Sequence, residues 1–439
     1  MLILQGKMMN SSKFTRRLFL KAAGWGTLSL AFPSFPFQKK LQRQKPNIIL
    51  IMADDLGYEG LSCNGSLSYR TPHLDKLAGA GVRFTHCYSQ PLCTPSRVQI
   101  MTGQYNFRNY TEFGALHPQE TTFGHLLKNA GYDTCVVGKW QLAARNKGIG
   151  TYPDKAGFDE HCLWQVDRLG SRYWDPLIQE NGKMRDDLKG KYGPDVFLDY
   201  IQGFLERKKN EPFFIYYPMA LTHDPFVPTP DSFPAENRNK ISLKYFADMV
   251  TYMDKIIGKI VLKVDELGIR ENTVIMFTSD NGTNLAVESR MQNRSVRGGK
   301  GTPTDAGTHV PFIVSWLGIS PPSKVCDDLI DFSDFFPSLA QIAGAAIPGN
   351  LILDGRSFLP QIKGEQGTPR EWIFCHYEPR WSIWKPCRFV RDKRWKLYDD
   401  GRLFDLRADP LEKSPVGDSR DKEILAIRQK FQQILDRMK

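Results

Sequence analysis

From Asn47 onward the chain alternates short apolar runs with stretches of helical periodicity. The apolar runs are rich in β-branched and aromatic residues, which is typical of strands buried on both faces of a sheet. They predict strands at Ile48–Ala53, Val82–Tyr88, Thr134–Val137, Phe213–Tyr217, Thr273–Thr278 and Val310–Trp316. The intervening segments predict helices at Pro72–Ala80, Ser96–Met101, Thr122–Ala130, Val196–Arg207, Leu243–Leu267 and Phe332–Ala343. This alternation predicts an α/β fold, with a large, mostly parallel or mixed sheet sandwiched by helices.

The pattern changes near residues 346–370, where glycine, proline and polar residues accumulate. Shorter strand-like runs follow at Trp372–Tyr377, Lys385–Arg391, Trp395–Tyr398 and Gly401–Leu406, and a helix is predicted at Lys422–Met438. We therefore expect a main domain over residues 47–345. A C-terminal α+β subdomain over 346–439 is expected to contain a small antiparallel sheet and one helix.

The N-terminus has the parts of an export signal. Arg16 and Arg17 are followed by Leu-Phe-Leu-Lys and then by an apolar stretch with small residues, which resembles a twin-arginine signal. We expect a signal segment at 1–36, a linker at 37–46 and a periplasmic or otherwise exported protein that uses the twin-arginine export machinery. No charge-free apolar run is long enough for a stable membrane span.

Charge and cysteine content narrow the function classes only modestly. The net charge is +11, and it falls to +6 when the five basic residues of segment 1–36 are removed. This excess suits an anionic substrate, and no nucleic-acid motif accompanies it. The eight cysteines form no CxxC pair, which argues against a zinc site, and their spacing assigns no disulfide partners.

Two predicted strands end in adjacent oxygen-bearing residues. Asp54 and Asp55 follow the first strand, and Asp280 and Asn281 follow the strand at Thr273–Thr278. In open α/β sheets, ligands gather at the carboxyl ends of strands. A single such aspartate is often a helix cap. Two such pairs together indicate a binding site for a hard cation, with Ca²⁺ favoured over Mg²⁺.

The segment Cys93-Thr94-Pro95-Ser96-Arg97 resembles the signature of the sulfatases, which are members of the alkaline phosphatase-like superfamily. The resemblance implies that a formylglycine-generating maturation enzyme oxidises Cys93 to an aldehyde, whose hydrate is the nucleophile and a metal ligand. Pro95 suits the first turn of a helix, which would place residue 93 at a helix N-terminus, where an anion is favoured. The alternative interpretation is a buried cysteine beside a helix start.

Further motifs of the family occur in order over about residues 45–412. The acidic pairs resemble its metal ligands, and Gly138-Lys139-Trp140, the His223 loop and Gly299-Lys300-Gly301 resemble its other site elements. The resemblance implies that Arg97, Lys139 and Lys300 hold the sulfuryl oxygens. His223 would bind sulfate or protonate the leaving oxygen. Taken singly, such lysines and histidines are more often solvated or structural.

Two positions depart from the family pattern. Gln141 stands where the family usually has a histidine that contacts the diol and serves as base. A glutamine can hydrogen-bond to substrate but does not accept a proton at neutral pH. His309, in a segment that also departs from the pattern, is a candidate replacement base.

The sequence thus predicts a sulfatase that hydrolyses sulfate esters, with sulfated carbohydrates implied as substrates by the resemblance alone. Aromatic and arginine residues in loops 160–188 and 378–385 are candidates for contacts with a sugar. Two alternatives stay open. One is a phosphodiester or phosphonate hydrolase of the same fold, and the other is a non-catalytic glycan-binding homologue.

Overall fold

The structure is a computed structural model that describes residues 45–144, 148–232, 238–292, 294–381 and 383–438. The predicted signal segment and most of the predicted linker lie outside the described residues. In the described ranges, no helix is both long enough and apolar enough to cross a membrane.

The strands, in chain order, are β1 (Asn47–Ala53), β2 (Val82–Tyr88), β3 (Asp133–Lys139), β4 (Glu160–Trp164), β5 (Ile178–Glu180), β6 (Lys183–Met184), β7 (Phe213–Pro218), β8 (Thr273–Ser279), β9 (Glu288–Arg290), β10 (Ser295–Arg297), β11 (His309–Trp316), β12 (Lys324–Asp331), β13 (Ile373–Tyr377), β14 (Cys387–Arg391), β15 (Trp395–Tyr398) and β16 (Leu403–Asp405). The helices are α1 (Pro72–Gly79), α2 (Cys93–Thr102), α3 (Asn106–Asn109), α4 (Phe123–Asn129), α5 (Gly193–Lys208), α6 (Tyr245–Glu266), α7 (Asp305–Thr308), α8 (Phe335–Ala343), α9 (Leu359–Ile362) and α10 (Lys422–Arg437).

Ten strands form one large mixed sheet in the order β12-β2-β11-β8-β1-β7-β3-β4-β5-β6. The central strands β8, β1, β7, β3 and β4 run parallel. Strand β11 runs antiparallel to both β2 and β8. The predicted α/β sandwich with a mostly parallel or mixed sheet is therefore confirmed.

Helices cover both faces of this sheet, and β1 shows why. Ile49 and Ile51 belong to one buried cluster, together with residues of α1, α5 and α6. Ile48 and Leu50 belong to a second cluster, together with residues of α2, α4 and α8. Because successive side chains of a strand point to opposite faces, a strand buried on both sides is apolar at every position.

The C-terminal sheet has the antiparallel order β13-β14-β15-β16. One buried cluster joins its strands to Phe431 and Leu435 of α10. A second cluster joins Tyr377, Phe389 and Tyr398 to Leu92, the residue immediately before α2. This small sheet therefore packs against the loop that precedes Cys93.

The predicted helices and strands all occur within a few residues of their expected bounds, but four strands of the large sheet were missed. Strand β12 is at the sheet edge, carries Asp327 and Asp328, and changes register between Cys326 and Leu329. Strands β5 and β6 have only three and two residues. Short, half-exposed edge strands lack the apolar run by which buried strands are found.

Candidate active site

The two predicted acidic pairs meet because β1 and β8 are parallel neighbours, with Ala53 opposite Ser279. The backbone N–H of Asp280 donates to the Ala53 carbonyl over 3.0 Å. The N–H of Asp55 donates to Asp280 Oδ1 over 3.1 Å. Asp54, Asp55 and Asp280 are all fully buried. Three carboxylates thus converge below the carboxyl ends of two adjacent strands.

Four cationic side chains surround these carboxylates. Lys139 Nζ lies 2.9 and 3.0 Å from the two oxygens of Asp54, and Arg172 Nη1 lies 3.1 Å from Asp54 Oδ2. Lys300 Nζ lies 2.5 Å from Asp55 Oδ2. Arg97 Nη2 lies 2.8 Å from Asp280 Oδ2. The cluster therefore has one more basic side chain than it has carboxylates.

The pKa values of Asp54 and Asp280 show that the surrounding cations stabilise the two carboxylates to different extents. Burial raises the pKa of Asp54, but Lys139, His223, Arg97 and Arg172 together hold it well below its usual range. Burial, then the neighbouring charge of Asp54, raises the pKa of Asp280 to about 7, although Arg97 opposes the shift. Asp280 is therefore the carboxyl group that the surrounding cations compensate less than they compensate Asp54.

His223 is held between a lysine and the backbone. Its Nε2 lies 2.9 Å from Lys300 Nζ, and since an ammonium group only donates, Nε2 accepts. Its Nδ1 then donates to the Asp224 carbonyl oxygen over 2.6 Å. Burial and the charge of Arg172 lower the pKa of His223, although Asp55 opposes them. The imidazole is therefore neutral in this arrangement.

Cys93 is the first residue of α2 and is almost completely buried. Leu92, the residue before it, is extended and packs against the C-terminal sheet. The thiol is within electrostatic reach of Lys300. Burial alone would lower the pKa of that lysine, but Asp55 and then Cys93 raise it. Arg97, one turn further along α2, pairs with Asp280 over 2.8 Å, so the helix that begins at Cys93 adjoins the acidic cluster.

The residues present fit a hard divalent cation. Asn281 Nδ2 donates to Asp55 Oδ1 over 2.8 Å, while Asn281 Oδ1 is buried and has no hydrogen-bond partner among the residues that the structure describes. An orphaned carboxamide oxygen beside three buried carboxylates is a donor set that suits Ca²⁺ or Mg²⁺. Asp54, Asp55 and His223 also bring ligand atoms within 4.8 Å of one another. However, His223 Nε2 already accepts from Lys300.

Arg172 is a site residue that the sequence did not reveal. It lies in the irregular loop after β4, where no motif surrounds it and where its neighbour Arg168 is exposed. Its guanidinium stacks over the Trp164 ring at 4.0 Å, and its side chain is 11% exposed. Only the folded loop turns Arg172, rather than Arg168, toward Asp54.

His309, the candidate replacement base, has other partners. Its Nε2 lies 2.8 Å from the Thr85 carbonyl oxygen and its Nδ1 lies 3.3 Å from Asp305 Oδ2. Its ring stacks on Tyr58 at a centroid distance of 4.2 Å. Both ring nitrogens are thus engaged, and among the described residues His309 has no recorded hydrogen bond to a predicted site residue. That interpretation is corrected, because the side chain serves packing between β2 and β11.

Comparison with known proteins identifies the family. A family model described as "Sulfatase" matches residues 46–345, and one described as "N-sulphoglucosamine sulphohydrolase, C-terminal" matches residues 303–439. The chain belongs to the sulfatase family and is a sulfuric ester hydrolase. Members of this family generally use a metal ion and a formylglycine, which agrees with the acidic cluster and with Cys93.

Individual relatives cover most of the chain. An N-acetylgalactosamine-6-O-sulfatase of Bacteroides thetaiotaomicron is 30% identical over an alignment of 466 positions, which covers 85% of this chain and 90% of the relative. The steryl-sulfatase of Mus musculus is 28% identical over an alignment of 506 positions, which covers 87% of this chain and 80% of the relative. The crystal structure of Ps i-CgsB with k-i-k-neocarrahexaose aligns with a TM-score of 0.76 and 27% identity, covering 90% and 93% of the two chains. The predicted family and fold are confirmed.

Proposed function

We propose that this sulfatase removes sulfate from a sulfated carbohydrate, with residue 93 as a formylglycine nucleophile and one bound Ca²⁺. The observation that carries this proposal is the position of Cys93 at the start of α2, the helix whose Arg97 pairs with buried Asp280 over 2.8 Å. The carbohydrate class is supported by the bacterial relative named as an N-acetylgalactosamine-6-O-sulfatase and by the neighbour in complex with k-i-k-neocarrahexaose.

The cation would be held by Asp54, Asp55, Asp280, Asn281 and modified residue 93. Bound there, it would supply positive charge that acidifies a hydroxyl on residue 93 and offsets charge on the sulfate. An all-oxygen set with a neutral carboxamide favours Ca²⁺ over a thiophilic metal. Chelation with EGTA should abolish hydrolysis. Ca²⁺ should restore it more fully than Mg²⁺, and preferential rescue by Mg²⁺ would reverse the assignment.

Three cationic groups are placed to bind the sulfuryl oxygens. Lys139 and Lys300 follow the family motifs, and Arg172 adds a third charge beside Asp54. In a buried site, fixed cations stabilise an anionic transition state more than they would in water. His223 Nε2 would first take up a proton, which Lys300 Nζ is positioned to supply over 2.9 Å, and would then donate that proton to the departing sugar oxygen.

The contacts of Arg97 favour a role different from direct sulfate binding. Its Nη2 pairs with Asp280 and its Nη1 donates to the Lys139 carbonyl over 3.3 Å, and its side chain is 1% exposed. We propose that Arg97 positions the carboxylate of Asp280 and the strand end that carries Lys139. Sulfate binding would then fall to Lys139, Lys300 and Arg172.

The first test is mass spectrometry of the peptide that contains residue 93, from protein produced with a maturation enzyme. An aldehyde in place of the thiol, together with hydrolysis of 4-nitrophenyl sulfate, is the expected result. A matched Cys93→Ser preparation should lack both. An intact thiol would overturn the mechanism and favour the glycan-binding alternative. Faster turnover of bis(4-nitrophenyl) phosphate would instead favour the phosphodiesterase alternative.

We also propose that the protein acts outside the cytoplasm, on the basis of the twin-arginine segment around Arg16 and Arg17. Replacing both arginines with lysine keeps the charge but should prevent recognition by the export machinery. Fractionation of the host cell should then find the protein in the cytoplasm. Unchanged export of the Lys-Lys variant would overturn this assignment.

A further inference from the structure

Lys396, in strand β15 of the C-terminal sheet, has a completely buried side chain. Lysine is almost never fully buried in proteins unless it is paired. Its partner is Glu412, in the loop after β16, whose Oε1 lies 2.9 Å from Lys396 Nζ and whose side chain is 2% exposed. The pair is separate from the acidic cluster of the candidate active site, so its burial needs another explanation.

Both members of this pair hold the backbone of the segment that follows Lys300. Lys396 Nζ donates to the Pro303 carbonyl over 2.5 Å. Glu412 Oε1 accepts from the backbone N–H of Asp305, the first residue of α7, over 3.0 Å. Hydrogen bonds to charged groups are about twice as strong as those between neutral groups. Residues 303 and 305 are therefore tied firmly to the buried pair.

The residue directly after Lys300 is held by the same sheet. Tyr377, the last residue of β13, donates from its Oη to the Gly301 carbonyl over 3.0 Å. The Gly301 N–H donates to the Pro91 carbonyl over 2.8 Å. A Cβ on residue 301 would lie 2.3 Å from the Trp384 ring, so this ring packs directly on the backbone. Both backbone polar groups of residue 301 are thus engaged.

The C-terminal sheet also contacts the segment that leads to Cys93. Leu92 packs in a buried cluster with Tyr377 and Cys375. Cys375 Sγ lies 3.0 Å from Gln90 Oε1, to which the thiol donates. One sheet therefore contacts the segment that carries the proposed nucleophile and the segment that carries a proposed sulfate-binding lysine.

Lys300 needs such external restraint because of its neighbours in sequence. It lies between Gly299 and Gly301, and glycine leaves the backbone freer than any other residue does. Its own side chain is a flexible four-carbon stem. Its ammonium group nevertheless contacts Asp55 Oδ2 over 2.5 Å and His223 Nε2 over 2.9 Å. A precise ammonium position on a glycine-flanked backbone requires that contacts from elsewhere in the fold fix that backbone.

We propose that Lys396 and Glu412 are positioning residues for Lys300. They fix residues 303 and 305, while Tyr377 fixes residue 301, so that the ammonium group of the lysine is held where it meets the sulfate. The pair does not touch the substrate and acts only through Lys300. The inference rests on the proposed function, because it assigns the residues that orient a sulfate-binding group of the same site.

The first experiment measures the restraint without any use of activity. Hydrogen–deuterium exchange, followed by mass spectrometry of peptides that cover residues 299–305, reports how firmly the segment is held. Lys396→Met should accelerate exchange in this segment about tenfold, because its backbone loses a charged partner. Arg370→Met is the matched control, since it breaks another buried ion pair, with Asp334, away from this segment. Equal exchange of residues 299–305 in the two variants would overturn the proposal.

The second experiment asks whether the effect passes through Lys300. With 4-nitrophenyl sulfate, Lys396→Met should lower kcat/KM of the folded enzyme about tenfold, whereas Arg370→Met should leave it unchanged. In a Lys300→Ala enzyme, Lys396→Met should lower kcat/KM by less than about twofold, because residues that act through one group are not additive. The inhibition constant of inorganic sulfate should rise with Lys396→Met only when Lys300 is present. Equal losses in both backgrounds would reduce the pair to a structural role and overturn the proposal.

A milder variant keeps the proposal testable if Lys396→Met does not fold. Tyr377→Phe removes only the hydroxyl that contacts Gly301, and should show the same dependence on Lys300 with a smaller loss of kcat/KM. Tyr105→Phe is its matched control, because it removes a buried hydroxyl that contacts Arg370 instead, and it should leave kcat/KM unchanged. Absence of turnover by the wild-type enzyme would overturn the proposed function, and the exchange measurement would still decide whether the pair fixes the segment.

Discussion

Two buried clusters of charged side chains in this protein contain similar residue types. They differ in whether their polar atoms all have hydrogen-bond partners. In the cluster of the candidate active site, the carboxamide oxygen of Asn281 is buried and has no hydrogen-bond partner within the described ranges. In the second cluster, below the C-terminal sheet, Arg370 donates to both oxygens of Asp334 over 2.8 Å. Asp334 also accepts from the backbone N–H groups of Asp331 and Arg356.

This difference in hydrogen bonding distinguishes a cluster that can bind a ligand from one that holds elements of the fold together. The guanidinium of Arg370 reaches Tyr105 Oη and the Asp354 carbonyl as well as Asp334, so its donors are used within the protein. Buried polar groups that are fully satisfied hold elements in place. An orphaned acceptor in a native structure calls for an explanation, and a bound ion supplies one at Asn281. Composition alone would not distinguish the two clusters, whereas their hydrogen-bond inventories do.

The largest expected effect comes from breaking the catalytic cluster. Asp54→Ala removes the carboxylate shared by Lys139 and Arg172, and should lower kcat/KM for 4-nitrophenyl sulfate by about a thousandfold or more. Bound calcium, measured by elemental analysis of the purified protein, should fall with it. Full calcium content with full activity would contradict the assignment of Asp54 as a ligand.

Breaking the structural cluster should affect stability instead of chemistry. Arg370→Met leaves Asp334 buried without its partner, a change that typically costs about 3–5 kcal/mol of unfolding free energy. Urea denaturation measures the loss, and kcat/KM of the remaining folded enzyme should be unchanged. Arg356→Met is the matched control, because that side chain is exposed and only its backbone N–H contacts Asp334. Equal losses in both variants would show that the Arg370 pair contributes little.

Removing the charge of Arg172 should give a smaller, purely kinetic effect. One hydrogen bond to a charged group is worth about 1.5–3 kcal/mol, so Arg172→Met should lower kcat/KM by about 10- to 100-fold. Arg168→Met, in the same loop but exposed, should leave kcat/KM unchanged. If the two variants behave alike, the position of Arg172 beside Asp54 has no consequence for catalysis.

The smallest effect concerns the pH dependence of stability near the structural cluster. Burial, then the charge of Asp334, raises the pKa of Asp331 to about 6, although Arg370 opposes the shift. A folded-state pKa above the unfolded value means that the folded protein takes up a proton between about pH 4 and 6. The contribution of Asp331 to the unfolding free energy therefore falls as pH rises through that window and is constant above it.

Asp331→Asn removes this titration but keeps Oδ1 as an acceptor for Gln99 and for the Ser333 N–H. The variant should therefore gain about 2 kcal/mol relative to wild type between pH 4 and pH 6, since one pKa unit is about 1.4 kcal/mol. Urea denaturation at the two pH values measures the difference. A difference that is constant with pH would show that Asp331 is ionised throughout.

The sequence alone was sufficient to predict the central strands of the large sheet and the site residues that lie at strand ends or in contiguous motifs. Strands β1 and β8 are continuous apolar runs, and each ends directly in a pair of oxygen-bearing residues. Because parallel neighbouring strands end at the same edge, their polar ends converge once the strands pair. The proposed nucleophile could be located from the sequence because Cys93 lies in a contiguous motif that begins a helix.

Only the tertiary structure decided which loop residues join the site. Arg172 contacts Asp54 while its guanidinium stacks on Trp164, and the loop between β13 and β14 is held against residues 110 and 301. Likewise His309, which the sequence offered as a base, is engaged with Thr85 and Asp305. Such contacts join segments up to about 270 residues apart. Local periodicity and motif spacing carry no signal for them, because they depend on how separate elements pack.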